Sequence, residues 1–193
     1  MTDQIKNIGD VSHLTKTHYK VASSAEDLET ILKIRTAVFV GEDGYPPDRI
    51  KVNADDYNLL GFYEGVPKGT IAVTLGQSET LPLGSTLGWK GITVAEIHKL
   101  AIIKDARKTP IALGLMVLAY EYTKKHAKDI LSFCLKNKES HIHTLEKFGF
   151  KIIKEFNFLD QPAYILHLNL EDTTFEKEKS YRRLKLLKKL LVK

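Results

Sequence analysis

The stretch Val94–Met116, VAEIHKLAIIKDARKTPIALGLM, decides the fold of this chain because it joins a buried strand to a helix through a short basic turn. The run 94–103 is rich in β-branched and aliphatic residues, which predicts a strand. Its strongly polar side chains are Glu96, His98 and Lys99. Because they are the few polar residues in an apolar strand, these three are the first candidates for functional residues.

The turn and the helix that follow this strand suit an anionic ligand. Thr109 supplies an N-cap hydroxyl and Pro110 fits the first helical position, so a helix is predicted from Pro110 to about His126. Its first backbone N–H groups point back toward the strand end, with Arg107 and Lys108 beside them. Free N–H donors and the helix dipole favour an anion there, although the basic pair could equally belong to a solvated turn.

Composition indicates one domain with a charged end. At 193 residues and 43% hydrophobic content, the chain is long enough for a sizeable core. No apolar run reaches the roughly 18 residues of a membrane span, and residues 1–10 lack the apolar segment of a secretory signal, so we expect a cytoplasmic protein. Residues Phe175–Lys193 hold eight Lys and Arg against two Glu, a local charge of +6, so the rest of the chain carries about −1 of the net charge of +5. The nearly neutral remainder argues against nucleic acid as a partner.

The chain divides into three predicted parts. Residues 1–17 form a loose N-terminal arm, residues 18–170 form the main domain, and residues 171–193 form a basic amphipathic C-terminal helix. Three uses compete for that helix: packing on its own domain, peripheral contact with an anionic membrane surface, and docking of an acidic carrier protein. One apolar stripe of the helix holds Tyr181, Leu184, Leu187 and Leu191.

The remaining elements follow from hydrophobic period, caps and turn residues. Irregular segments are predicted at 41–53 and 77–91. Arg35 falls near the apolar face of its helix, where a buried guanidinium needs an acid partner. The predicted elements are strands at 18–22, 59–64, 70–75, 94–103, 130–135, 150–156 and 163–170, and helices at 25–40, 110–126 and 138–148. This order indicates an α/β (α+β) fold, with a central sheet of about six to seven strands flanked by helices.

Four segments carry a resemblance to a known superfamily. They are Ile34–Tyr45 (IRTAVFVGEDGY), Asn53–Asn58 (NADDYN), Glu96–Ile102 (EIHKLAI) and Glu146–Phe150 (EKFGF). Their order resembles the GNAT acyltransferases, and the first three resemble the acyl-homoserine-lactone synthases and the related long-chain N-acyl amino acid synthases. The resemblance spans about residues 21–156 and implies a GNAT-like fold, whose central sheet is mixed and mostly antiparallel.

The resemblance also implies an N-acyltransferase. It would move a fatty acyl group from acyl carrier protein, or from acyl-CoA, to the amine of a small molecule such as an amino acid, without a permanently bound cofactor. In the turn, Pro110 replaces the first glycine of the loop that acetyl-CoA users have, and it offers no N–H. Two alternatives stay open: an acetyl-CoA-dependent GNAT N-acetyltransferase, and a non-catalytic protein that binds acyl chains or acyl carrier protein. The residues implied to bind the donor's phosphopantetheine are Leu100, Ala101, Ile102, Arg107, Lys108 and Ala112.

Acyl transfer to an amine requires removal of a proton from the amine and polarisation of the carbonyl group. Glu96 is the predicted general base, acting through a water, because desolvation among apolar neighbours should raise its pKa. Its alternative role is acid partner of Arg35 or Lys99. His98 shares a strand face with Glu96 and is either a second candidate for the base or a hydrogen-bonded structural residue.

The resemblance places five residues at the acceptor pocket: Arg35, Phe39, Asp55, Asp56 and Lys99. Asp55 or Asp56 would bind the acceptor amine, and Arg35 or Lys99 would hold an acceptor carboxylate. The alternative is an Arg35–Asp55 ion pair that pins the first helix to the loop.

Two further patterns narrow the chemistry. Asn53, Asn58 and Lys99 stand where the lactone synthases have Glu, Asp and Arg, which argues against S-adenosylmethionine as the acceptor. His141 and His143 lie two residues apart on a predicted helix and face different ways, so the sequence predicts no metal site there.

Overall fold

The structure is a computed structural model that describes residues 16–172. Apart from their inner ends, the predicted N-terminal arm and the basic C-terminal helix lie outside these residues, so both remain predictions. Within the described range, no helix is long and apolar enough to cross a membrane.

The predicted strands and helices are all confirmed in their order, with ends that shift by a few residues, and the structure adds one short helix to them. The strands are β1 (Thr17–Val21), β2 (Tyr57–Tyr63), β3 (Val66–Gln77), β4 (Thr93–Ile102), β5 (Asp129–Leu135), β6 (Lys151–Phe158) and β7 (Gln161–Asn169). The helices are α1 (Ala25–Arg35), α2 (Pro82–Leu87), α3 (Ile111–Thr123) and α4 (Glu139–Lys147).

The described strands form one seven-stranded sheet in the order β1-β2-β3-β4-β5-β7-β6. Within this sheet every neighbouring pair is antiparallel except β4 and β5, which are parallel. A parallel pair requires a crossover connection, and α3 supplies it. The predicted mixed, mostly antiparallel sheet is therefore confirmed.

Helices cover both faces of the sheet. On one face α3 and α4 pack over the largest buried cluster, which includes Ile97 of β4 and Ile111 of α3. On the other face Ile31 of α1 packs against Leu60 of β2, and Leu83 of α2 packs over the far end of the sheet. Polar side chains that alternate with Ile97 along β4 therefore face α1 and α2.

The segment 77–91 was predicted to be irregular, and this is wrong because it contains α2. Six residues that include Pro, Gly, Ser and Thr show no helical period, so packing rather than propensity holds this helix. Gly84 is required there, since a Cβ would lie 2.3 Å from the carbonyl oxygen of Ser78. The helix ends at Gly88, whose φ of 72° is left-handed.

α1 ends earlier than predicted and continues as a π-helical turn, Thr36–Val40. The sequence Ser23–Glu26 (SSAE) has the pattern of a capping box, but the structure forms the box one residue later, with Ser24 and Asp27. π-Helical turns occur frequently at functional sites, and this one carries Phe39.

α3 begins one residue later than predicted, with Pro110 at the N-cap position. The N-cap is thus one residue beyond the predicted Thr109, whose hydroxyl donates to the carbonyl oxygen of Ala106 at 2.6 Å and accepts a long hydrogen bond from the N–H of Ile111 at 3.5 Å. The hairpin between β2 and β3 also differs. It turns at Glu64–Gly65, where both φ values are positive, rather than across 65–69.

Thr70 on β3 has a buried hydroxyl group whose effect on stability can be tested. It is fully buried, and its hydroxyl has no hydrogen-bond partner among residues 16–172. Because Val keeps the shape and removes the desolvated hydroxyl, Thr70→Val should raise the free energy of unfolding by about 1 kcal/mol. Urea unfolding of both proteins measures this difference.

Thr123→Val is the matched control, because the equally buried Thr123 hydroxyl donates to the carbonyl oxygen of Ala119 at 2.9 Å. This variant should gain no stability. If both variants lose stability equally, the Thr70 hydroxyl has a partner after all.

Candidate active site

The parallel strands β4 and β5 pair over only the first part of their length. Their register covers Val94–Glu96 and Asp129–Leu131, and beyond it β4 continues to Ile102 and β5 to Leu135. Where they part, the hydroxyl of Ser132 donates to the carbonyl oxygen of Ile97 at 2.9 Å and takes the place of a ladder hydrogen bond. Beyond Glu96 and Leu131 the two strands share no ladder pairing, and we call this region of divergence the cleft.

A β-bulge lies in β4 beside this cleft. Lys99 and Leu100 stand opposite the single residue Ile71 of β3, and Lys99 has a φ of 55°, which is uncommon for a residue other than glycine. Leu100 is 36% exposed, whereas Ala101 and Ile102 are buried. The run predicted to bind the donor, 100–102, therefore starts at the bulge, after β4 and β5 have parted.

Glu96 lies on the face of β4 toward α2 and is 5% exposed. The N–H groups of Leu83 and Gly84, at the start of α2, donate to its Oε1 at 2.6 and 3.1 Å. Burial raises the pKa of Glu96, and these two hydrogen bonds oppose the rise. Within the described residues Oε2 has no hydrogen-bond partner, so it is the oxygen that remains to take a proton.

His98 shares the face of Glu96, as the alternation along the strand predicts. Its Nε2 lies 2.7 Å from Oγ1 of Thr74, and that oxygen lies 2.7 Å from Oδ1 of Asp56. Burial lowers the pKa of His98 to about 3, and the positive charges of two nearby basic residues add to the effect. His98 is therefore neutral and a weak base.

Arg35, at the end of α1, is fully buried and bound by neutral oxygens. Its Nη1 donates to the carbonyl oxygen of Lys51 and its Nη2 to Oδ1 of Asn58, both at 3.1 Å. Its Nε has no partner in the described part of the chain. Burial lowers its pKa to about 10, and the charge of Asp56 opposes this. The acid partner expected for Arg35 is Asp56, which acts through its charge, while a carbonyl and an amide oxygen accept the hydrogen bonds.

The two neighbouring aspartates have different surroundings. Asp56 is buried, and its Oδ1 also accepts from Nδ2 of Asn53 at 3.2 Å. Asp55 is exposed on the loop, and its N–H donates to Oδ1 of Asn53. Asp55 therefore lies apart from Arg35 and its oxygen partners, and the alternative Arg35–Asp55 ion pair is wrong. Asp56 is the aspartate that belongs to the site.

The ammonium group of Lys99 is a second positive charge near Arg35. Its Nζ donates to the carbonyl oxygen of Lys51 at 2.8 Å, the same oxygen that Arg35 binds. Burial and the charge of Arg35 lower the pKa of Lys99, while Asp56 raises it. Glu96 pairs with neither cation, so its alternative role as their acid partner is also wrong. The carboxylate of Asp56 balances one of the two positive charges and leaves the other available to an anion.

An aromatic row extends from the predicted acceptor residue Phe39. Phe39 stacks on Tyr45 at 5.7 Å between ring centroids, and Tyr45 meets the edge of Phe158 at 5.9 Å. Phe158 in turn lies 4.6 Å from Phe133 of β5. The four rings are half-buried and run from the π-helical turn to β5 and β6, which makes an apolar wall beside the cleft.

At the turn between β4 and α3, the side chain of Arg107 is already bound by other groups of the protein. Nε of Arg107 donates to the carbonyl oxygen of Ile102 at 3.2 Å, and its Nη2 binds Oε2 of Glu42 at 2.6 Å. Lys108 is exposed, and Ala112 lies in the first turn of α3. A phosphate that uses Arg107 therefore has to replace Glu42.

The loop after α1 bridges the two strand ends. Glu42 reaches Arg107 beyond β4, and the next residue, Asp43, pairs with Nζ of Lys138 beyond β5 at 2.7 Å. These two ion pairs hold the loop across the gap between the strands.

The structure places most of the residues predicted for catalysis and acceptor binding on one side of β4. They are Glu96, His98, Lys99, Arg35 and Asp56. Sequence reasoning missed several supporting groups, because each depends on a contact between segments far apart in the chain. They are Thr74, Asn58, Ser132 and the N–H groups of α2. Thr74 was detectable only once the register of β3 on β4 was known.

The low pKa of His98 predicts a pH dependence of stability. Because the unfolded imidazole binds a proton that the folded one rejects, His98 contributes stability that is complete above about pH 6.5 and is lost as pH falls toward 3. The slope from one such group is at most ~1.4 kcal/mol per pH unit. Urea unfolding at several pH values between 4.5 and 7 should show a shallower dependence in His98→Asn than in the wild type. Equal slopes would contradict a buried neutral His98.

The sequence of the chain was compared with those of known proteins. No family model matches the chain. Over 160 residues it is 27% identical to a Bacillus subtilis (strain 168) protein named "Putative acetyltransferase", a match that covers 80% of this chain and 97% of the relative.

Solved structures identify the fold. The structure of FeeM, an N-acyl amino acid synthase from uncultured soil microbes, matches with a TM-score of 0.66 and 15% identity, over 81% of this chain and 92% of FeeM. Naa50 of Arabidopsis thaliana, in complex with the bisubstrate analogue CoA-Ac-MVNAL, matches with a TM-score of 0.60 and 18% identity, over 80% and 99% of the two chains. The acetyltransferase of the GNAT family from Streptococcus pneumoniae matches with a TM-score of 0.60 and 12% identity, over 80% of this chain and 99% of that chain. The described part of the chain thus has the GNAT fold.

Proposed function

We propose that the protein is an N-acyltransferase that moves an acyl group from a pantetheine thioester to the amine of a small molecule carrying a carboxylate. One observation carries the proposal: the cleft where β4 leaves β5 opens beside Glu96, His98 and Lys99. An extended ligand with amide groups, such as pantetheine, fits an unpaired strand edge, because it completes the backbone hydrogen bonds that the partner strand no longer supplies.

The chemistry follows from the positions of these side chains. The acceptor nitrogen attacks the thioester carbon, the C–S bond breaks, and the thiolate leaves. Glu96 Oε2 takes the proton of the amine through a water, since its raised pKa suits a base and His98 is too weak a base for that task. Backbone N–H groups at the bulge would polarise the carbonyl oxygen, and the proton finally passes to the sulfur.

Both donors remain candidates within this proposal. Naa50 is described with a CoA analogue, which supports acyl-CoA. Acyl carrier protein is the donor that the sequence resemblance implies, and the turn with Pro110 suits its single phosphodiester, because that group needs fewer N–H donors than a pyrophosphate. The aromatic row from Phe39 to Phe133 gives a longer acyl chain or an apolar acceptor a surface to pack on.

A second candidate function is N-acetyl transfer from acetyl-CoA. The description of the Bacillus relative and the Naa50 structure favour it. The third candidate is a non-catalytic protein that binds acyl chains. It differs from the first two because it would form no product.

The acceptor's carboxylate is proposed to bind Lys99. Lys99 is partly exposed and shares its carbonyl ligand with the fully buried Arg35, so Lys99 is the cation that a substrate can reach. An acceptor carboxylate would supply the negative charge that Asp56 alone does not provide.

One assay tests donor and acceptor together. The protein is incubated with acetyl-CoA, dodecanoyl-CoA or dodecanoyl-acyl carrier protein and a mixture of amino acids or of their methyl esters, and the products are read by mass spectrometry. We expect N-dodecanoyl amino acids, with the methyl esters poorer as acceptors. Products from acetyl-CoA alone would instead support the acetyltransferase, and donor binding without product would support the non-catalytic protein.

Lys99→Met should remove the preference for the free carboxylate. Loss of a charged hydrogen bond predicts a KM for amino acids that rises by about tenfold or more. The KM for the methyl esters should stay close to that of the wild type and serves as the internal control. An equal rise for both acceptors would show that Lys99 shapes the strand rather than binding the carboxylate.

Glu96→Gln should lower kcat by roughly a hundredfold or more if Glu96 is the base. Gln keeps a carbonyl oxygen for the N–H groups of Leu83 and Gly84, so the thermal midpoint should change little. Glu96→Ala is the contrasting variant, since it removes the oxygen as well and should destabilise the fold. An unchanged kcat in Glu96→Gln would assign proton removal to His98 or to solvent.

A further inference from the structure

Thr74 stands between a group that can only accept a hydrogen bond and a ring that can accept or donate. Its Oγ1 lies 2.7 Å from Oδ1 of Asp56 and 2.7 Å from Nε2 of His98. A hydroxyl has one proton to donate, and an ionised carboxylate has none. The Thr74 hydroxyl therefore donates to Asp56 and offers His98 a lone pair.

The neighbours of Asp56 use it as a hydrogen-bond acceptor. Nδ2 of Asn53 donates to the same Oδ1 at 3.2 Å, and the guanidinium of Arg35 is close enough to attract the carboxylate. Both interactions use the carboxylate oxygens in the same way as the Thr74 hydroxyl does.

His98 must consequently carry its proton on Nε2. A neutral imidazole has one N–H and one bare nitrogen, so Nδ1 holds the free lone pair. Among residues 16–172 Nδ1 has no hydrogen-bond partner, and the side chain is 17% exposed. The bare nitrogen is therefore open to a ligand.

We propose that Thr74 and Asp56 are positioning residues, which hold His98 as the Nε2–H tautomer so that Nδ1 accepts a hydrogen bond from the acceptor's nitrogen. The identity of that ligand rests on the proposed function, whereas the tautomer rests on the hydrogen bonds alone. The place is suitable, since His98 shares a face with Glu96 and directly precedes the bulge at Lys99.

The tautomer can be measured without any turnover. In 15N NMR of protein labelled at the histidine ring nitrogens, the protonated and bare nitrogens of a neutral ring are well separated, and His98→Asn assigns the signal. We expect a protonated Nε2 and a bare Nδ1 at neutral pH. A ring protonated on Nδ1 would overturn the proposal.

Ligand contact is tested in the same spectra with L-phenylalanine as the probe. Its addition should shift the bare Nδ1 resonance more than the Nε2 resonance. A shift confined to Nε2, or none at saturating probe in a protein that acylates this amino acid, would overturn the contact at Nδ1.

Variants of Thr74 connect the tautomer to the rate. Thr74→Val removes the shared hydroxyl, so the ring should populate both tautomers and kcat should fall by about 10- to 100-fold, as for other supporting residues of a site. Thr74→Ser keeps the hydroxyl and should retain the Nε2–H tautomer and most of the rate. Thr70→Val, the same substitution on the same strand, is the control and should leave the His98 spectrum unchanged.

The outcomes separate this proposal from the proposed function. An Nε2–H tautomer in the wild type that persists in Thr74→Val, with unchanged kcat, would overturn the role of Thr74. If Thr74→Val does not fold, the wild type and Thr74→Ser still report the tautomer. If no donor is turned over, the proposed function fails, while the spectra still decide whether Thr74 and Asp56 set the ring.

Discussion

The end of hydrogen bonding between β4 and β5 is the constraint on which the site depends. Backbone N–H and C=O groups in a protein interior must find partners, and the parallel ladder supplies them only as far as Glu96 and Leu131. Beyond that point side chains take over, with Ser132 on the carbonyl oxygen of Ile97 and Arg107 on that of Ile102. These contacts satisfy carbonyl oxygens of β4 in the region where its pairing with β5 has ended.

Electrostatics in this cleft depend on burial as much as on charge. Arg35 is enclosed completely and held by neutral oxygens, so its charge acts on its neighbours without becoming a surface ligand. Together with desolvation it keeps His98 neutral and makes protonation of Lys99 less favourable. Asp56 is the counter-charge and also orients the hydroxyl between itself and His98. The result is a connected polar network in a dry place, which rigidifies the site.

Features of the structure could be predicted where the local sequence determines them, and could not where a contact between distant segments determines them. The periods of the strands and helices and the glycine that follows α4 are local signals, and the structure agrees with them. The capping box of α1 is also local, but it forms one residue later than its sequence pattern. α2 has no such signal, because the carboxylate of Glu96 and close packing on Ser78 hold it. An acid near Arg35 was expected, but only the tertiary structure shows that Asp56 acts by charge while two neutral oxygens accept the hydrogen bonds.

The sequence by itself determined the order of elements, the burial of β4 and the residue types on it, because hydrophobic period and turn chemistry act over a few residues. It also determined that Glu96 and His98 share a face, since a strand alternates strictly. Only the tertiary structure decided which oxygen of Glu96 stays free, that Asp56 rather than Asp55 joins His98, and that Thr74 links the two. Those choices depend on the register of β3 against β4 and on where β5 departs, and no local pattern in a single chain encodes either of them.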